Sequence, residues 1–402
     1  MTELSDFDKQ IIEAMEQEYR NPKSFPECEK LLLFLHSLFI ITGQLDEMFC
    51  NAFVEEAIQL LKNAIFLYRD GLFDCAFYSV REASEVINSM LYLTQDVSMK
   101  KEWESKRYFP VDKKLRAKLE KLSVDYKEIK NSIPEYFDKH DELIKIANKI
   151  IHKQGFDTFY RARQPYANSY GFNKEKELDL FIELEKYTIG LLLIIFIIID
   201  PLSLILTDPN VTYKINFNPM TAPINICYFE DYLNLDIIIP KIKETFFYQN
   251  IISAFDNYEE MSPAIFNIVR SEYFDIDALD EIEKQLHLIS PLERIMFYIL
   301  KNGIKVSNFY SCNGLTWYLT SIECNRKIHS FYSDEFNVYA TAKDRFNQKR
   351  DNVYISVLKM YDEEFLYLEC NEILNADEID VLLKIEQNFL TTFEKFFEFG
   401  IT

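Results

Sequence analysis

Residues 141–155, DELIKIANKIIHKQG, carry the side chains whose types and spacing best suit a reaction. On a helix, Leu143, Ile146, Ala147 and Ile150 fall at i, i+3, i+4 and i+7 and make an apolar stripe. The opposite surface then carries Asp141, Lys145, Asn148, Lys149 and His152. Asn148 and His152 are one turn apart, the spacing at which helical side chains meet, and Lys145 and Lys149 flank them. An imidazole exchanges protons near neutral pH, with an attacking 2′-hydroxyl or with a leaving oxygen. Ammonium groups stabilise negative charge developing on phosphate. Together these are the groups needed for metal-independent RNA cleavage. The same residues also fit a plainer description: a histidine at a helix C-terminus, where the helix dipole favours its charged form, among surface lysines.

The elements that must position this helix are also helical. Ala57, Leu60, Leu61, Ala64 and Leu67 define one face of a first helix. Asp70-Gly71 makes a turn, and Ala76, Val80, Ala83, Ile87 and Met90 keep a single stripe on a second helix. The alanines permit close approach of the two. A lysine-rich helix is expected over 114–130, then a helix from about Glu135 to His152 after Pro134. An aromatic and arginine-rich loop follows over 154–173, including Arg161 and Arg163, and a long helix runs from Glu175 to Ile199. The stretch 188–206 is nearly long enough to span a bilayer. Asp200-Pro201 interrupts it and its flanks are not basic, so it reads as a core helix and no membrane association is expected.

The segment Ala147-Asn148-Lys149-Ile150-Ile151-His152 resembles the HEPN motif, an Arg, a polar residue that is often Asn, three residues and a His. Residues 55–93, with Tyr68-Arg69-Asp70-Gly71-Leu72-Phe73 and Ala76-Phe77-Tyr78-Ser79-Val80-Arg81-Glu82-Ala83, resemble the first two helices of HEPN-like domains. The resemblance covers about residues 51–206. It implies a helical bundle, a dimer, and a place among the ribonucleases and non-catalytic proteins of prokaryotic defence and toxin systems. In that frame His152 is the proton-transfer group and Asn148 positions it, with Lys145 and Glu82 completing the catalytic set. Lys149, Lys153, Arg161 and Arg163 would contact RNA phosphate. The motif's Arg position holds Ala147, and Lys is not equivalent to Arg for bidentate phosphate contact. Two functions therefore follow: an RNA-directed protein with endoribonuclease activity carried by these residues, or a non-catalytic bundle used for sensing or assembly with a partner protein or a second copy.

Composition bounds the rest. The chain has 402 residues, 48% of them hydrophobic, enough for two or three domains. Its net charge of −21 excludes bulk DNA binding. The charge is uneven. Residues 98–164 hold 17 Lys and Arg against 11 Asp and Glu, whereas residues 207–402 hold 17 against 31. The basic island is either a solvated helical surface or a patch for RNA, phosphate or an acidic partner. Seven scattered cysteines with no CxxC pair read as reduced thiols of a cytoplasmic protein. There is no P-loop, GxGxxG, HExxH or GxSxG, and no metal-ligand spacing among the five histidines, so no cofactor or metal is expected.

The fold class expected is mainly α: an N-terminal helical extension over 1–50, a HEPN-like helical bundle over 51–206, and a C-terminal α+β domain over 207–402 with a small antiparallel sheet. Within the last, 211–215 reads as β-like, and Val338, Ala340 and Ala342, then Val353, Ile355 and Val357, then Phe365 to Cys370 read as a meander. A terminal helix begins near Asn375.

Overall fold

The apolar stripes of residues 51–93 fold as the hairpin their spacing predicts. The computed structural model describes residues 5–19, 26–105, 112–159, 174–217, 219–327, 333–360 and 364–398. The chain divides into two compact units, one of Met1–Thr212 with Pro219–Asp256, the other of Tyr213–Asn218 with Asn257–Thr402. The division falls after residue 256 and not at 206.

The first unit is helical: α1 (Asp6–Tyr19), α2 (Pro26–Ser37), α3 (Cys50–Arg69), α4 (Phe73–Gln95), α5 (Val97–Glu104), α6 (Asp112–Leu122), α7 (Val124–Ser132), α8 (Pro134–Ile151), α9 (Lys174–Ile199), α10 (Ile238–Lys243) and α11 (Phe246–Ser253). Ala57, Leu61 and Ala64 of α3 and Ala76, Val80, Ala83, Ile87 and Met90 of α4 are all fully buried. Gly71 turns between the two helices at φ 79°, a left-handed conformation that a glycine adopts without strain. The expected lysine-rich helix is two helices. They break at Ser123, whose hydroxyl caps α7 by accepting the Tyr126 N–H at 3.2 Å.

α9 is the centre of this unit. From Leu191 to Ile197 every side chain is essentially buried, each contributing roughly 1.5–3 kcal/mol of burial free energy. Gly190 lets α8 come close: a Cβ there would sit 2.8 Å from the Tyr136 hydroxyl and 3.0 Å from Leu235. The helix stops at Asp200-Pro201 because proline disfavours a helical residue before it. The Asp200 carboxylate is buried and accepts hydrogen bonds from Thr42 Oγ1 at 2.6 Å, Thr221 Oγ1 at 2.5 Å and Gln44 Nε2 at 2.7 Å. Among the described residues no helix is long and apolar enough to cross a membrane. Residues 219–256 belong to this unit because their apolar side chains complete its core: Tyr232 stacks on Phe34 at 5.1 Å, and Ile238, Ile239 and Ile242 are buried.

The second unit is α+β. Its elements are α12 (Pro263–Ser271), β1 (Tyr273–Phe274), α13 (Leu279–Lys284), α14 (Pro291–Lys301), β2 (Val306–Ser311), β3 (Thr316–Thr320), α15 (Ser333–Thr341), β4 (Gln348–Arg350), β5 (Val353–Lys359), β6 (Phe365–Cys370) and α16 (Ala376–Glu398). The strands form one sheet in the order β1-β3-β2-β6-β5-β4. It is mixed and not purely antiparallel, because β1 runs parallel to β3. One face packs Phe309, Leu358, Leu366 and Leu368 against Ile265, Met296, Phe297 and Leu382 of the helices. The other holds Tyr310, Ile355, Val357 and Tyr367 under Phe336.

Two expected strands are not strands. Residues 338–341 lie in α15, where Phe336, Tyr339 and Ala340 face the sheet at helical spacing and Val338 is exposed. Residues 209–212 form a helical turn that buries Val211, and Ile215 is buried four residues on.

Candidate functional site

α8 is anchored by Leu143, Ile144, Ala147 and Ile150, all buried. Its polar surface divides in two. Lys145 and Asn148, with Asp141, line a cavity of about 730 Å³. His152 and Lys149 are exposed and do not line it. The last turn closes when the His152 N–H donates to the Asn148 carbonyl at 2.9 Å and the Gln154 N–H to the Lys149 carbonyl at 2.9 Å. Lys153 then takes a left-handed conformation at φ 54°, the position most often given to glycine at a helix end. His152 thus sits at the rim of the helix terminus, with no side-chain hydrogen bond among the described residues.

The other expected residues are distributed around this helix end. Glu82 on α4 is half-buried and makes no hydrogen bond to His152 among the described residues. Glu85, one turn on, is held by Arg81. Lys153 is paired with Asp74 and lines a second cavity, about 620 Å³, with Asp70, Cys75, Tyr78 and Ile151. Arg161 and Arg163 lie outside the described residues. Ala147, at the motif's Arg position, is fully buried, so residue 147 faces the core and not the polar surface.

Packing brings to the larger cavity groups that the linear pattern did not assemble. Arg81 comes from α4 and Arg116 from α6, each in an ion pair, with Glu85 and Asp141 respectively. Lys130 pairs with Glu120 at 2.5 Å. The walls therefore offer five cationic side chains against three carboxylates. Two of the residues lining this cavity each carry a buried polar atom without a hydrogen-bond partner. Asn88 donates its Nδ2 to the Ser84 carbonyl at 2.8 Å, leaving Oδ1 without a partner, and His140 Nε2 is likewise without one. Burial first, and then the nearby Arg116 charge, push the His140 pKa down to about 4, so the ring is neutral at physiological pH. Arg81 was visible in the sequence only as part of the α4 pattern. Arg116 was one cation in a lysine-rich helix, and nothing in the linear sequence marks Asn88.

Among the described residues no group of three or more His, Cys, Asp or Glu could hold a metal ion. No family model, curated protein or solved structure matches the chain. The functional reading rests on the site itself.

Proposed function

We propose that the chain is a HEPN-like, RNA-directed protein of a prokaryotic defence or toxin system, acting as a dimer, with His152 as its proton-transfer group. The observation that carries this reading is the placement of His152, exposed at the end of α8 with no side-chain hydrogen bond among the described residues, one turn beyond Asn148, which itself lines a cation-rich cavity. In the reaction the RNA 2′-oxygen bonds to phosphorus while the bond from phosphorus to the 5′-oxygen breaks. The products are a 2′,3′-cyclic phosphate and a 5′-hydroxyl. His152 either takes the 2′ proton or supplies one to the 5′-oxygen, and solvent water carries the other proton. Lys145, Arg81 and Arg116 line the same cavity as Asn148 and would supply the cations for phosphate, in place of the motif Arg that Ala147 lacks.

The buried position of Ala147 favours a second reading, a non-catalytic bundle that works by sensing or assembly. Expressing wild type and His152→Ala at equal levels separates the two. RNA fragments ending in cyclic phosphate with wild type and none with the variant support cleavage. If neither produces fragments while both remain folded, the catalytic reading fails and the assembly reading stands.

A further inference from the structure

The apolar stripe of α1 is uncovered. Phe7, Ile11 and Ile12 fall at i, i+4 and i+5 on one face and are 70%, 43% and 42% exposed. Every other described side chain from Ser5 to Glu13 is exposed as well. A helix of 14 residues is marginal in water without a surface against its apolar face, so this stripe calls for one. The charge of α1 restricts what that surface is. In sequence the helix holds five Asp and Glu against Lys9 alone. That balance opposes an anionic lipid surface, where interfacial helices are basic, and it opposes side-by-side pairing with a second α1. The complementary surface is basic, with apolar side chains between its cations.

The outer side of α6 and α7 has this chemistry. In sequence the two helices hold seven Lys and Arg against four Asp and Glu. Of the acids, Glu120 is tied to Lys130, and Glu128 accepts from the Phe246 and Phe247 N–H groups. Leu122 and Val124, either side of the buried Ser123 where the helices join, are 44% and 79% exposed. Lys118 lies one turn before Leu122 on α6, and Lys127 lies three residues beyond Val124 on α7. Each spacing puts the cation on the same side of its helix as the apolar residue. Lys118, Lys121 and Lys127 are all exposed, and Lys121 and Lys127 have no ion-pair partner among the described residues. We infer that α1 of one copy docks on the α6–α7 surface of a second copy. Phe7, Ile11 and Ile12 then cover Leu122 and Val124, and the acidic residues of α1 meet Lys118, Lys121 and Lys127. In a twofold dimer the contact is made twice. The inference rests on the functional reading only for the dimer, and it names the surfaces on which the copies meet.

The test is sedimentation of the full chain over a concentration series, which gives the dimer affinity. Two double variants are compared with wild type: Phe7→Ser/Ile11→Ser on α1 and Lys121→Glu/Lys127→Glu on the α6–α7 surface. Both change exposed side chains, so each monomer should keep its fold by circular dichroism. Each variant should lose at least about tenfold in dimer affinity. Mixed together, the two should form a heterodimer tighter than either variant's own dimer. There the intact α1 of the surface variant meets the intact surface of the α1 variant. A wild type that remains monomeric overturns the inference. So does a dimer indifferent to either variant, which places the interface elsewhere. A mixture no tighter than its components also overturns it, because α1 then docks within its own chain. His152→Ala should dimerise as wild type does and is decisive only in the RNA assay, so failure of either reading is distinguishable from failure of the other.

Discussion

Lys153 and Asp74 form an ion pair that ties the chain two residues past the end of α8 to the first turn of α4. The Lys153 ammonium also reaches the Thr158 carbonyl at 3.5 Å. The pair fixes the helix end beside the hairpin and engages a cation that the sequence suggests for RNA phosphate. Its two side chains are about a third exposed, 34% and 32%, so solvent screens it and its contribution is about 1 kcal/mol or less. The left-handed backbone of Lys153 costs a further increment of roughly 1 kcal/mol relative to glycine.

Lys153→Ala should therefore lower stability by up to about 1 kcal/mol, losing the pair and keeping the strain. Lys153→Gly should be near neutral, because relief of the left-handed strain offsets the lost pair. Urea denaturation of both variants measures this. A glycine variant less stable than the alanine variant would contradict the account.

Restoring the motif by Ala147→Arg should fail. Residue 147 is fully buried between helices, and a guanidinium there meets overpacking and charge burial together. The loss expected is at least about 3 kcal/mol. The readout is the urea midpoint of the purified variant, and a midpoint equal to wild type would show that α8 can turn this position outward.

These two residues show how far the sequence reaches. The stripes in α3, α4 and α8 were legible because burial on one side leaves a 3.6-residue signature, and α9 was legible as an unbroken apolar run because it is buried all round. The spacing of Asn148 and His152 was legible from the signature in α8. Which way each points was not. The polar surface of α8 splits between a cavity wall and a free end, and only the packing of α4, α6 and α7 decides where the split falls. Arg81, Arg116, Asn88 and His140 come from three helices and meet only in the folded chain. In the second unit β5 and β6 carry enough apolar residues to read as strands. β2 does not, because it is buried on both faces yet contains Ser307, Asn308 and Ser311. α15 misleads because a short helix with small apolar residues imitates alternation over five positions.

Glu185 should set a pH dependence in the first unit. It lies fully buried on α9, and neither carboxyl oxygen has a hydrogen-bond partner among the described residues. Burial pushes its pKa well above the ordinary carboxylate range. Burial, followed by the Glu185 charge, also pushes the Cys28 thiol up to about 12. The folded chain thus holds the Glu185 proton to higher pH than the unfolded chain does. Its effect on stability is most favourable below the unfolded pKa of about 4.3. It is lost progressively as pH rises from there through the folded pKa. Glu185→Met should raise stability at pH 7 by about 1–3 kcal/mol and flatten this decline. Thermal melts from pH 4 to pH 8 provide the check: a variant with an unchanged slope, or one less stable at pH 7, removes Glu185 as the cause.

Arg326 and Glu369 should be the costliest pair to break in the second unit. The side chains are 4% and 0% exposed, with Arg326 Nη1 3.3 Å from Glu369 Oε2. The same oxygen accepts from Tyr310 Oη at 2.6 Å and from Asn308 Nδ2 at 2.8 Å. Arg326 Nη1 also donates to Tyr310 Oη at 2.8 Å, and its guanidinium lies 5.5 Å from the centre of the Trp317 ring. Removing one partner leaves the other charged in a site that water does not reach. Arg326→Met should therefore cost about 3–5 kcal/mol. The double variant Arg326→Met/Glu369→Gln removes both charges and should recover part of that loss, so the two substitutions are expected to be strongly non-additive. Chemical denaturation of the two single variants and the double completes the cycle. Additive losses would show that the carboxylate is held by Tyr310 and Asn308 alone and that the ion pair contributes nothing of its own.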